Sequence, residues 1–65
     1  MEELTVVKMI TEMVWNDLGK QDRKDLIESL KKDAEHQKDN EQYELAVGTE
    51  EYIAELEHRF NKIYN

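Results

Sequence analysis

The chain has no cysteine and no proline, and among its 65 residues only two are glycine, Gly19 and Gly48. Without cysteine there are no disulfides, no zinc-thiolate centre and no thiol redox chemistry. Without proline, nothing forces a helix to stop. Two isolated glycines cannot form a phosphate-cradling loop, so each is expected to sit at a helix end. No apolar run reaches the 18 or so residues that a membrane span requires. The segment Met1-Glu2-Glu3 is acidic where a secretory leader is basic, so a soluble, cytoplasmic protein is expected. Positive charge is also short: nine Lys and Arg against sixteen Asp and Glu leave a net charge of −7. Residues 1–18, 19–41 and 42–65 carry −3, −1 and −3 in turn, so no segment is basic. Direct binding of nucleic acid or of an anionic lipid surface is therefore not expected.

What is present is helical periodicity. Residues 3–18 predict a first helix with apolar side chains around most of its circumference. At about 100° per residue with Val6 at zero, Met13, Ile10, Val14, Val7 and Leu18 fall between about 340° and about 120°. Met9 lies near about 300°, and Leu4 and Trp15 near about 160° and about 180°. Only Thr5, Lys8, Glu12 and Asn16 form a polar strip. A surface helix needs an apolar stripe of about 100°, so this one expects neighbours on more than one side. Gly19 is expected as its C′ residue. Asp17 falls inside the apolar arc at about 20°, which favours a helix that has already ended there.

A second helix over residues 22–37 carries Leu26, Ile27, Leu30 and Ala34 on one narrow face. Its other faces hold the pairs Lys24/Glu28, Glu28/Lys32 and Lys31/Glu35, spaced four apart as on a solvated surface. Residues 35–42 contain no apolar anchor and read as a loop or an exposed helical extension. Residues 43–47 read as a short helical turn closed by Gly48, after which Thr49 is placed as the N-cap of a third helix over residues 50–63. That helix puts Tyr52, Ile53, Leu56, Phe60, Ile63 and Tyr64 within about 120° of arc. The expectation is an all-α, small three-helix domain with one possible further turn, self-associating as a helical bundle.

Few residues qualify for chemistry. Asp33-x-x-His36 and Glu55-x-x-His58 have the spacing of carboxylate–imidazole ligand pairs on a helix. In so acidic a chain an acid three residues before a histidine arises by chance about one time in four, and both histidines point away from the apolar faces. A metal site is thus the weakest reading, and no cofactor is expected. Ser29 is the lone serine and has no neighbouring histidine, so nucleophilic catalysis is not expected. The bases Lys20, Arg23, Lys24, Lys31, Lys32 and Lys38 alternate with acids and form no phosphate-binding stripe.

The functional expectation is a non-enzymatic interaction module. A domain of this size buries only about 60% of its unfolded surface and usually needs extra stabilisation, for which oligomerisation is the remaining route. A homodimer is expected through Leu4, Met9, Met13, Trp15 and Tyr64, at the edges of the apolar arcs. A partner with a basic surface would meet the acids Glu2, Glu3, Glu12, Glu50, Glu51, Glu55 and Glu57, as in a regulator or inhibitor of a nucleic-acid-binding protein. The alternatives are a subunit of a larger helical assembly and an oligomeric metal-binding protein.

Overall fold

The structure, a computed structural model, describes residues 3–65. It consists of three helices, α1 (Glu3–Trp15), α2 (Lys20–Asp39) and α3 (Tyr43–Tyr64), as the all-α reading requires.

Helix α1 stops three residues short of Leu18. Past Trp15 the amides of Asp17 and Leu18 donate back to the carbonyls of Val14 (2.9 Å) and Trp15 (3.3 Å), tightening the last turn. The Arg23 side chain donates through Nε to the same Trp15 carbonyl at 2.9 Å. Asp17 therefore leaves the helix before it can intrude on the apolar arc, and it is exposed. Gly19 is not the C′ residue of α1. It is the extended N-cap of α2 (φ −78°, ψ 178°), and its carbonyl accepts the Arg23 amide at 3.0 Å.

Helix α2 buries Ile27, Leu30 and Ala34, with Leu26 half-buried beside them. It continues through the polar stretch to Asp39, because Gln37 and Lys38 find partners on α3. Gln37 Oε1 lies 2.8 Å from the Thr49 hydroxyl, and Lys38 Nζ lies 2.9 Å from Glu50 Oε2. The helix then closes in a Schellman arrangement, with the Gln42 amide donating to the Gln37 carbonyl (2.8 Å) and the Glu41 amide to that of Lys38 (3.0 Å). Glu41 occupies the left-handed position of that motif with φ 62°, where a side chain is disfavoured and glycine is usual. Replacing exposed Glu41 by Gly is expected to stabilise the fold by about 1 kcal/mol, raising the melting temperature by about 4–8 °C. Thermal unfolding followed by circular dichroism checks this, and a lowered midpoint would refute it.

Helix α3 is a single helix of 22 residues. Gly48 is inside it and does not end a separate turn, and Thr49 is not an N-cap. Thr49 is buried instead, its hydroxyl proton shared between the Leu45 carbonyl (3.0 Å) and the Gln37 amide oxygen (2.8 Å). A Cβ at Gly48 would stand 2.6 Å from Leu4 Cδ2, so the glycine is where the start of α1 presses onto α3.

The core is formed by Trp15, Ile27, Leu30, Ala34, Tyr52, Ile53 and Leu56, with Val7, Leu26 and Phe60 packed against it. Ile63, expected on the same arc of α3, is exposed. α2 runs antiparallel to α3, bridged by Gln37–Thr49, Lys31–Glu57 and Arg23–Tyr64. α1 runs parallel to α3, with Leu4 at Gly48 and Glu12 near Tyr52 and Arg59. The molecule measures 34 × 22 × 15 Å, and at helix spacings of about 8–10 Å its thin dimension holds two layers of helices. The α2–α3 pair is the more extensively packed, and α1 lies on it as a partial second layer.

Candidate interaction surface on the outer face of α1

The docked face of α1 is narrow. Thr11 and Trp15 are buried and Leu4 and Val7 half-buried, spaced three, four and four residues apart. The Arg23 guanidinium lies over the Trp15 ring, 5.1 Å from its centroid, and so covers the ring while binding the end of the helix.

The polar strip of α1 borders this docked face. The Tyr52 hydroxyl donates to Glu12 Oε2, and Arg59 donates to both Glu12 oxygens (3.0 and 2.8 Å) and to Glu55 Oε2 (2.8 Å). Lys8 Nζ sits 5.5 Å from the Tyr52 ring centroid. The Tyr52 hydroxyl, followed by the Arg59 guanidinium, holds the Glu12 carboxyl below its ordinary value of 4.5. Burial, and then the facing carboxylate, push the Tyr52 hydroxyl upwards, so it stays a donor. A carboxylate depressed by folding contributes stability above its unfolded pKa, and that contribution is lost as pH falls through the folded value. Glu12 is half exposed, so screening limits the contribution to about 1 kcal/mol. Urea titrations read by Trp15 fluorescence should therefore show Glu12→Gln weaker than the parent near neutral pH. The gap should narrow as the pH falls below 4.5 and close once it is below the depressed folded value. A gap unchanged down to about pH 3 would contradict the assignment.

The opposite side of α1 is apolar and uncovered. Met9 is 60% exposed, Ile10 57% and Met13 76%, with Val14 at 38% and Val6 half-buried between them. These five residues make one continuous strip along the helix. Of the interface residues read from sequence, Met9 and Met13 lie on it. Trp15 does not, being a core residue with 4% of its surface exposed. Leu4 is half-buried against Gly48. Tyr64 is half-buried against Phe60, with ring centroids 4.6 Å apart, and its hydroxyl accepts from Arg23 at 3.2 Å. Ile10 and Val14 were missed because they lie inside the apolar arc of the wheel, where burial was expected. The structure buries the edge of that arc and exposes its centre.

The acids divide in the same way. Glu12, Glu50, Glu55 and Glu57 are engaged by Arg59, Lys38, Arg59 and Lys31 respectively. Glu3 and Glu51 are exposed without an ion-pair partner among the described residues, and Glu2 lies outside those residues. The i, i+4 pairs expected around α2 do not form. Lys31 instead binds Glu28 (3.6 Å) and Glu57 of α3 (3.2 Å). That second bond bridges a groove lined by Ile27 and Phe60 that is open to solvent. His36 and His58 are exposed on different helices, and no group of three or more His, Asp or Glu suited to a metal ion occurs among the described residues. No described helix is long and apolar enough to cross a membrane. Compared with protein-family models, with curated proteins and with solved structures, the chain matches none of them.

Proposed function

We propose that the chain is a non-enzymatic interaction module and that the outer face of α1 is its contact surface for another polypeptide. The observation that carries this is the strip itself: Met9, Ile10 and Met13 are each more than half exposed on one helix, with no charge between them on that face. Covering such side chains is worth on the order of 1 kcal/mol each. Methionine suits the role because its flexible thioether fills irregular contacts. Acids without an ion-pair partner among the described residues, Glu3, Asp17, Glu44 and Glu51 among them, favour a partner of opposite charge, and a small regulator or inhibitor that occupies a basic surface fits that balance. A homodimer, or a larger assembly built on the same strip, is the rival use of this face.

The test is photo-crosslinking in the source cell. A benzophenone amino acid at Ile10 should give discrete cross-linked species, and the same probe at exposed Glu35 on α2 should not. Met13→Glu should remove those species while changing folding stability by no more than about 0.5 kcal/mol, as expected for an exposed position. Equal or absent cross-linking from both positions would overturn the reading.

A further inference from the structure

The outer strip of α1 also carries information on what covers it, and this step rests on the reading of α1 as a contact surface. We infer that the strip docks into an apolar groove between two helices of a different protein, and that Lys or Arg side chains line the rims of that groove.

The width of the strip indicates two helices. Met9, Met13, Val6, Ile10 and Val14 follow one another at intervals of about 20–40°, an arc of about 140°. A single partner helix contacts a narrower seam. The docked face of the same helix illustrates the difference, since Leu4, Val7, Thr11 and Trp15 span only about 80°. Two helices set about 8–10 Å apart cover the wider arc.

The ends of the strip indicate the charge. Glu3 lies at its N-terminal end and Asp17 in the exposed turn just beyond its C-terminal end, and neither has an ion-pair partner among the described residues. Of the bases near α1, Arg59 is committed to Glu12 and Glu55, Lys8 to the face of Tyr52, Arg23 to Trp15 and Lys20 to the face of Tyr64, which leaves Lys62, on the rim of a groove shared with Glu12 and Trp15, as the one without such a contact among the described residues. A second copy is a poor occupant. Laid antiparallel it sets Glu3 against Asp17 at both ends, and laid parallel it sets each acid against its own twin, between chains that each carry −7. Anionic lipid meets the same repulsion. A basic-rimmed helical groove covers the strip and neutralises both ends.

The experiment uses the full chain against a yeast-displayed library on a three-helix scaffold. The groove positions between two scaffold helices vary among Ala, Leu, Ile, Met and Phe, and the rim positions among Lys, Gln and Glu. Selected binders should carry Lys at the rims and lose at least about tenfold in affinity against Met13→Glu. Against Glu3→Lys/Asp17→Lys they should lose about tenfold, whereas Asp33→Lys/Glu35→Lys, the same change in net charge placed on α2, should cost less than about threefold. No binders, Gln or Glu at the rims, or equal losses in the two double variants would overturn the inference. So would a dimer of the chain in sedimentation that Met13→Glu dissociates. That last result would leave the contact surface standing and remove only the basic helical partner.

Discussion

Replacing Leu56 by Ala is expected to cost about 3–4 kcal/mol and to lower the melting temperature by more than about 12 °C. Among the described residues Leu56 is the one large side chain with no exposed surface, at the middle of α3 and in the same core cluster as Ile27, Leu30 and Ala34 of α2. Truncating a buried leucine removes its transfer free energy and leaves a cavity that the surrounding helices fill only in part. The loss is severe because a chain of this length has a total stability of about 3–10 kcal/mol. The variant should thus be largely unfolded at a temperature where the parent is folded, as read by circular dichroism at 222 nm. Met13→Ala removes a side chain of similar size from a position 76% exposed, and it should shift the midpoint by no more than a few degrees. Comparable losses from the two variants would mean that the core is not centred on α3.

The contrast between Leu56 and Met13 also shows what periodicity reveals and where it stops. The Ile27–Leu30–Ala34 face of α2 and the Tyr52–Ile53–Leu56 face of α3 were legible because each of these two helices has one apolar side, and one-sided periodicity names its own interior. α1 is apolar on two sides, so the wheel states how much surface needs cover and not which side the chain covers itself. The neighbours of the polar strip decide it: Glu12 and Lys8 engage Tyr52 and Arg59, which sets α1 down on the side carrying Leu4, Thr11 and Trp15. Gly48 was misread for a related reason. Glycine is unfavourable inside a helix by about 1 kcal/mol relative to alanine, so local propensity favours a break there. The compensation is Leu4 lying where a Cβ would stand, a contact 44 residues away in sequence. Residues 35–39 likewise stay helical through Gln37 and Lys38 meeting Thr49 and Glu50. The candidate surface followed the same rule: its composition was legible, and its location required knowing which face had been spent on the core.

Trp15 tests that partition most directly. Because it holds the C-terminal end of α1 to the rest of the chain, Trp15→Ala should cost about 3–5 kcal/mol and release α1 first. The variant loses the largest side chain that α1 contributes to the core, and Arg23 loses the ring beneath it while keeping its bond to the carbonyl. What then holds α1 is Leu4 at Gly48, Val7, Thr11, the Arg23 bond to the carbonyl of residue 15, and the half-exposed contacts of Glu12 and Lys8 with Tyr52 and Arg59, in which the Glu12–Arg59 ion pair is worth about 1 kcal/mol at most. Amide hydrogen exchange should show protection lost along α1 at denaturant concentrations where α3 around Leu56 still retains some. Trp15→Phe keeps an aromatic ring under Arg23, so its cost should be about half as large or less. If Trp15→Ala instead left α1 as protected as in the parent, the docked and outer faces would have been assigned the wrong way round. Met9, Ile10 and Met13 would then have to be the side that α1 packs inward.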